Sequence, residues 1–385
     1  MKKIYLDNAS TTPTDKRVVE AMRKYWNVDF ANPSSIHSMG VMAKKAVAEA
    51  RKTIASSLNA HDREIVFMSG GTEANNLALF GVVKKQLMMG EKVHAITTEI
   101  EHSSILESFK ELEKIGCETS YLQVDANGMV DPKDLREMIK SETAIISIGY
   151  ANSEIGTIQP VKEIIKEIRH ARKEFARERI AMPYLHLDAS AAMQYENMNM
   201  EELGADLVTI DAQKIYGPKG IGALYIRDGV EIEPIIFGGG QENGRRSGTE
   251  NVPAIVGFAK ALEINEKIKE KEGKRVAKLR DEFFDGVKKF VPTAIVNGGL
   301  INRLPNNINI SIPGQDGEMM VLRLDEAGII SSAASACASG SGESDVVKKI
   351  SPSARAASTL RFSLGRDTKR SDLIYLLKKL AAVCK

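Results

Sequence analysis

From Glu64 onward, short apolar runs alternate with stretches of helical periodicity, and that rhythm confines the chain to few architectures. Strands are predicted over 64–68, 93–97, 118–123, 143–149 and 184–187, with helices over 72–89, 103–115, 132–140 and 160–179 between them. Such alternation predicts an α/β fold with a mainly parallel sheet covered by helices. In sheets of this kind ligands bind at the carboxyl ends of the strands. The residues with the most chemistry in this chain fall at those ends.

Bulk properties narrow the class further. At 385 residues the chain can bury two cores, and 43% apolar with 27% charged residues excludes disordered and collagen-like classes. A net charge of +2 gives no strong attraction to nucleic acid or to a membrane surface. No apolar run reaches transmembrane length, and Met1-Lys2-Lys3-Ile4-Tyr5-Leu6-Asp7 meets an acid too early for a signal peptide. The three cysteines, Cys117, Cys337 and Cys384, are not spaced as a disulfide framework or a zinc site. A cytoplasmic, reducing setting is expected.

Helices are also predicted over 15–28 and 40–59, separated by the Pro-broken loop Phe30–His37. The charge-dense stretch 162–179 reads as a solvated helix face or a docking surface. The glycine-rich loop 238–249 is long enough to suggest function. A long helix from about 252 into the 280s leads to a second unit, with strands near 293–297, 306–312 and 360–364 and helices near 317–327 and 369–383. The boundary is placed near 265.

Lys214 lies between the apolar run Leu207–Ile210 and the turn Gly217-Pro218-Lys219-Gly220, with the strand-like run Ala223–Ile226 beyond. A lysine at a strand end against a rigid turn can present its amine to an aldehyde and form a Schiff base with pyridoxal phosphate. Alone, it reads equally as a surface lysine in a hairpin. Upstream, Asp188 ends the apolar run Leu185–Leu187, where an acid suits the pyridinium nitrogen of the same cofactor. Ser69–Asn76 follows a strand and opens a helix, so its free N–H groups and the Thr72 hydroxyl make a phosphate seat, or only a turn. His102 follows the next strand and is either a ring-stacking or a structural histidine. Cys337 sits in the small-residue run Ser331–Gly342, expected to be a mobile loop with a reactive thiol, whereas Cys117 and Cys384 read as structural or incidental. Arg361 opens a C-terminal strand and suits either a bidentate carboxylate clamp or a surface ion pair.

Together these residues resemble the class V family of pyridoxal-phosphate enzymes, and within it the cysteine desulfurases of the NifS/IscS type. The matches run nearly end to end: Tyr5–Thr12, Asn32–His37, Ser69–Asn76, Glu101-His102, Glu154–Thr157, His186–Ala189, Lys214–Gly220, Arg246–Thr249, Ser335–Cys337 and Arg361–Ser363. The resemblance implies a fold-type I transferase. A large domain over 16–265 would hold a mainly parallel seven-stranded sheet. A smaller α+β domain over 266–385 would carry the Cys337 loop, with segment 1–15 packed on it. Lys214 would carry the Schiff base, Asp188 would pair the pyridine nitrogen, and His102 would stack on the ring and move protons. Gly71 and Thr72 would hold the phosphate, joined by Thr249 from the partner subunit of a homodimer. Arg361 would bind the carboxylate of L-cysteine, with Asn32 nearby. The Cys337 thiolate would take the sulfur as a persulfide, releasing L-alanine, for iron–sulfur cluster or thio-cofactor and tRNA assembly through a scaffold or other sulfur-acceptor protein. No metal is implied beyond a transient iron–sulfur contact at Cys337.

Four cofactor-lining positions depart from the family pattern: Ala191 where Gln is usual, Ser153 for Asn, Gln213 for His and Asp211 for a phosphate-binding Ser. A carboxylate ~4 Å from a phosphate charge costs on the order of 4 kcal/mol at an effective dielectric near 20. A weakened cofactor site is therefore expected, with Asp211 dominant. The resemblance leaves a second reading, a cofactor-impaired homologue serving as sulfur acceptor or scaffold subunit, and a third, action on selenocysteine or another β-substituted amino acid. An ordinary aminotransferase needs no thiol, so the Cys337 loop argues against one.

Overall fold

The computed structural model describes residues 3–175, 182–333, 343–351 and 353–383. The chain opens with β1 (Ile4–Tyr5), α1 (Lys16–Asn27) and α2 (Ser38–Ser57). It then alternates through β2 (Ile65–Met68), α3 (Gly71–Met88), β3 (His94–Thr98), α4 (Ser103–Lys114), β4 (Glu118–Leu122), α5 (Pro132–Met138) and β5 (Thr143–Gly149). The alternation continues with α6 (Val161–Glu174), β6 (Tyr184–Asp188), α7 (Met200–Leu203), β7 (Leu207–Asp211) and β8 (Gly222–Ile226). The long α8 (Val252–Phe290) precedes β9 (Ile295–Val296), β10 (Asn307–Ser311), α9 (Gly317–Glu326) and β11 (Ile329–Ile330). The chain closes with α10 (Asp345–Ile350), α11 (Ser353–Ala356), β12 (Thr359–Ser363) and α12 (Arg370–Val383).

The large sheet has seven strands in the order β2-β8-β7-β6-β5-β3-β4. Strands β3 to β7 pair in parallel, and β8 runs antiparallel to both β2 and β7. The fold class is the expected one. Side chains alternate between faces along a strand, so neighbours enter different cores. Ile65 and Phe67 pack with α2, α6 and α8, whereas Val66 and Met68 pack with α3 and α4. Each fully buried Leu, Ile or Phe contributes roughly 1.5–3 kcal/mol, so both faces must be covered.

A third core gathers Leu6, Phe283, Ile310, Phe362 and Leu376. It lies against an antiparallel sheet in the order β12-β10-β9, and β1 pairs in parallel with β11. Helix α8 joins the cores: Phe258 and Leu262 belong to the first, Phe283 and Val287 to the third. Its start is fixed by Asn251, whose side chain accepts from Ala254 N, with Pro253 in the first turn. The strand predicted over 293–297 shrinks to Ile295–Val296 because Ala294 N–H closes a turn onto the Val291 carbonyl. The helix predicted over 160–179 is described to Glu174, and residues 176–181 lie outside the described residues. So do Cys337 and Cys384. Among the described residues, no helix is long and apolar enough to cross a membrane.

Candidate active site

A cavity of ≈ 260 Å³ opens at the carboxyl edge of β3, β5, β6 and β7, against the N-terminus of α3. Gly71, Thr72, His102, Ser153, Asp188, Asp211, Gln213 and Lys214 all line it, and Val346 of α10 reaches it from the C-terminal part of the chain. Strand ends in a parallel sheet aim their following residues at one edge, which is why sites separated by more than a hundred residues converge here.

Lys214 closes the short 3₁₀ turn after β7. Its Nζ donates to the carbonyls of Ala9 at 2.6 Å and Ser10 at 2.8 Å, so the N-terminal segment holds the amine in place. Burial lowers the Lys214 pKa, and the Arg361 charge acts in the same direction against Asp211 and Asp188. Asp188, at the end of β6, accepts from Asn75 Nδ2 at 2.8 Å and from Ser190 N at 3.0 Å. The same Asn75 nitrogen donates to Ser104 Oγ at 2.9 Å, and that hydroxyl pairs with His102 Nδ1 at 2.8 Å. Asn75 thus ties the acid and the histidine into one network. His102 caps α4: its Nδ1 accepts from Ser104 N at 3.1 Å, which leaves the proton of the neutral ring on Nε2. Burial lowers the imidazole pKa.

Two contributors were not singled out from the sequence. Asn75 is only 1% exposed. It lies within the Ser69–Asn76 motif one turn into the predicted helix, a position that is readable, whereas its burial against Asp188 is not. Glu101 accepts from Thr98 Oγ1 at 2.7 Å and from Gly149 N at 2.9 Å. Burial, reinforced by Asp188, pushes its carboxyl up to about 7. Its place in the Glu101-His102 pair was visible, but its inward aim was not.

The α3 end of the cavity is built differently. Gly70 adopts φ 156°, open in practice only to glycine, which lets the chain turn sharply from β2 into α3. At this helix start Gly71 N donates to Asp211 Oδ2 at 3.2 Å. Asp211 also accepts from Gln213 N at 3.1 Å and from Gln213 Nε2 at 3.0 Å. In the same turn Glu73 accepts from Ser69 N at 2.7 Å and pairs with Arg246 at 2.8 Å. One carboxylate therefore already serves the helix N-terminus, and a second serves the turn leading into it.

Ser153 and Ala191 line the cavity with no amide to offer. Neighbouring Asn152 does not replace one: its Nδ2 donates to the Ile100 carbonyl and its Oδ1 accepts from Glu154 N and Ile155 N. Arg361 is 2% exposed and lies behind the lining, with Nη2 bonded to Asp7 Oδ1 at 2.9 Å and Ser10 Oγ at 2.7 Å. Its Nε has no hydrogen-bond partner among the described residues. Asn32 is exposed, its Oδ1 accepting from Ser34 N, and Thr249 is exposed on the glycine-rich loop; neither reaches this cavity. Cys117 is buried, which pushes its thiol up to about 12 and leaves it inert. Among the described residues, no group of three or more His, Cys, Asp or Glu could hold a metal ion.

A buried lysine facing an oriented acid and a capped histidine, at the strand ends of a seven-stranded α/β sheet, defines a class. The chain belongs to the class-V aminotransferase family, whose model matches residues 4–376. Cysteine desulfurase IscS of Dictyoglomus turgidum is 44% identical over 384 residues, spanning 99% of this chain and 94% of that protein. Cysteine desulfurase IscS 1 of Archaeoglobus fulgidus is 43% identical over 389 residues, spanning 98% and 96%. A solved NifS-like protein superposes with a TM-score of 0.91 at 34% identity, covering 99% of both chains. SspA, solved in complex with cysteine, gives 0.80 at 33% identity over 94% of this chain and 99% of that one.

Proposed function

We propose that the chain is a cysteine desulfurase that removes sulfur from L-cysteine, gives L-alanine and leaves a persulfide on Cys337. The observation that carries this is the convergence of Lys214, Asp188 and His102 on one cavity. They fit the aldehyde and ring of pyridoxal phosphate: a buried amine with a lowered pKa, and an acid oriented by Asn75. The fit is poorer at the α3 end, where Asp211 stands against Gly71 N. When bound, pyridoxal phosphate supplies an electron sink for bonds broken at the substrate's α- and β-carbons.

This chain's residues do the rest. A lowered pKa keeps a larger share of Lys214 neutral and nucleophilic. Asp188 would hold the pyridine N–H, and His102 would stack on the ring and carry a proton. Arg361 would meet the substrate carboxylate, and its charge is already felt at Lys214; Asn32, outside the cavity, would contribute only if its loop closed toward it. The Cys337 thiolate attacks the substrate sulfur, forming the S–S bond as the Cβ–S bond breaks. The electron pair stays on carbon, which is protonated to the methyl of alanine.

A homodimer would bring Thr249 of one subunit to the Gly71–Thr72 end of the other. Exposed Phe237, next in sequence to the glycine-rich loop that carries Thr249, supports such a contact. The two-domain division at about 265 is supported by the change of core along α8, and by Leu6 packing with the C-terminal core. A cytoplasmic setting, a sulfur-acceptor or iron–sulfur scaffold partner and a transient iron–sulfur contact at Cys337 complete the reading. A second reading, a cofactor-impaired homologue, draws its main support from Asp211, with Ala191, Ser153 and Gln213 beside it in the lining. The test is to saturate the protein with pyridoxal phosphate, add L-cysteine and a reductant, and measure alanine and sulfide in equal amounts. No alanine from a fully loaded protein would reject the enzyme reading.

A further inference from the structure

Asp211 ends β7 and is 5% exposed, with its carboxylate at the first backbone N–H of α3. An 18-residue helix offers its N-terminus to an anion through free N–H groups and its dipole. Here the first of those donors is already committed. Gly71 N goes to Asp211, Ser69 N goes to Glu73, and Arg246 is paired with Glu73. All three hydrogen bonds to Asp211 come from neutral amides of Gly71 and Gln213, so none of these contacts cancels its charge. Turning Asp211 away would break all three.

The immediate surroundings of Asp211 suit a donor better than a second anion. A carboxylate accepts hydrogen bonds, and a phosphate dianion has no proton to give it. A hydroxyl does. Ser190 Oγ is buried beside the seat with no hydrogen-bond partner, within 3.1 Å of where a Cβ on Gly71 would stand. A ligand hydroxyl donating to Asp211 would leave its oxygen free to accept from Ser190.

We propose that Asp211 is a built-in anion in the place of the cofactor's 5′-phosphate, so that the cavity takes pyridoxal, with its 5′-hydroxyl, as readily as pyridoxal phosphate. The proposal deepens the cofactor reading above and rests on it. It is tested by titrating the apo-protein with pyridoxal and with pyridoxal phosphate, for the parent, Asp211→Ser and Asp211→Asn. Taking the ratio of the two dissociation constants cancels any general loss of folding in a variant. The parent should bind the two within about tenfold of each other, and both variants should shift the ratio toward the phosphate by more than about tenfold, or 1.4 kcal/mol. A smaller shift, or a parent that favours the phosphate as strongly as Asp211→Ser does, overturns the proposal. Pyridoxine and pyridoxine 5′-phosphate, which lack the aldehyde, repeat the comparison by calorimetry without Lys214. An Asp211-dependent shift there, with no reductive trapping on Lys214, would uphold the proposal and reject the lysine's role. No shift there overturns the proposal whatever Lys214 does.

Discussion

The two ends of the cavity are wired in opposite ways. At the Lys214 end, Asn75 and Ser104 link Asp188 to His102, and all four line the cavity. At the α3 end, Gly71 N and Ser69 N are turned onto Asp211 and Glu73. Preorganised donors bind a ligand only while they remain free; one already holding a buried carboxylate has its charge satisfied from within. The same fold thus keeps one end of the cavity open and sets a carboxylate at the other. Function at the first end does not require function at the second.

The largest effect expected is at the open end. Lys214→Ala should remove all borohydride-trappable pyridoxal and lower alanine formation by at least about 1000-fold, with the far-ultraviolet circular dichroism unchanged. A trapped adduct in that variant would move the covalent site elsewhere. Next is Cys337→Ser, which should still shift the cofactor spectrum on adding L-cysteine yet release neither sulfide nor alanine above background. Full activity there would end the persulfide mechanism.

Asn75→Ala should cost about 1.5–3 kcal/mol in transition-state stabilisation, roughly 10- to 100-fold in kcat/KM, because a hydrogen bond to a charged partner is lost. It should also move the pH profile, since His102 and Asp188 are no longer joined. An unchanged profile would reduce Asn75 to packing.

Glu101 gives a smaller effect, on stability. Its folded pKa, about 7, lies above the ordinary 4.5, so the folded state holds an extra proton between those values. That contribution is fully present below about pH 4.5 and is lost as pH rises through about 7, up to about 3 kcal/mol in all. His186, buried and lowered to about 4, acts in the opposite sense but is common to both proteins compared. Between pH 5 and 8 the parent should therefore lose urea stability relative to Glu101→Gln. Parallel curves would place the Glu101 proton elsewhere.

Much of this was legible in the residues. The apolar runs at Ile65–Met68 and ending at Asp188 and Asp211 located the strands to within a residue or two, because burial on both faces leaves few substitutes for Val, Ile and Leu. Lys214, Asp188 and His102 were readable for the same reason: strand ends share an edge. The Asp211–Gln213 clamp was not read. Sequence shows that an acid precedes a glutamine by two positions, but not that the turn folds Gln213 onto Asp211 and Asp211 onto Gly71 N. An acid closing a strand and capping a 3₁₀ turn was the available hint. Arg361 was recognised as a cation, while its anchoring by Asp7 and Ser10, more than 350 residues away, depends on β12 lying beside the N-terminal segment.

The central claim is that the cavity holds an aldehyde cofactor through Lys214 with no need of a phosphate. The direct measurement is borohydride reduction of the parent protein after separate incubation with pyridoxal and with pyridoxal phosphate at matched concentrations, followed by peptide mapping by mass spectrometry. The account predicts one labelled peptide, containing Lys214, at comparable occupancy from either aldehyde. Label confined to pyridoxal phosphate, or found on another lysine, would contradict it.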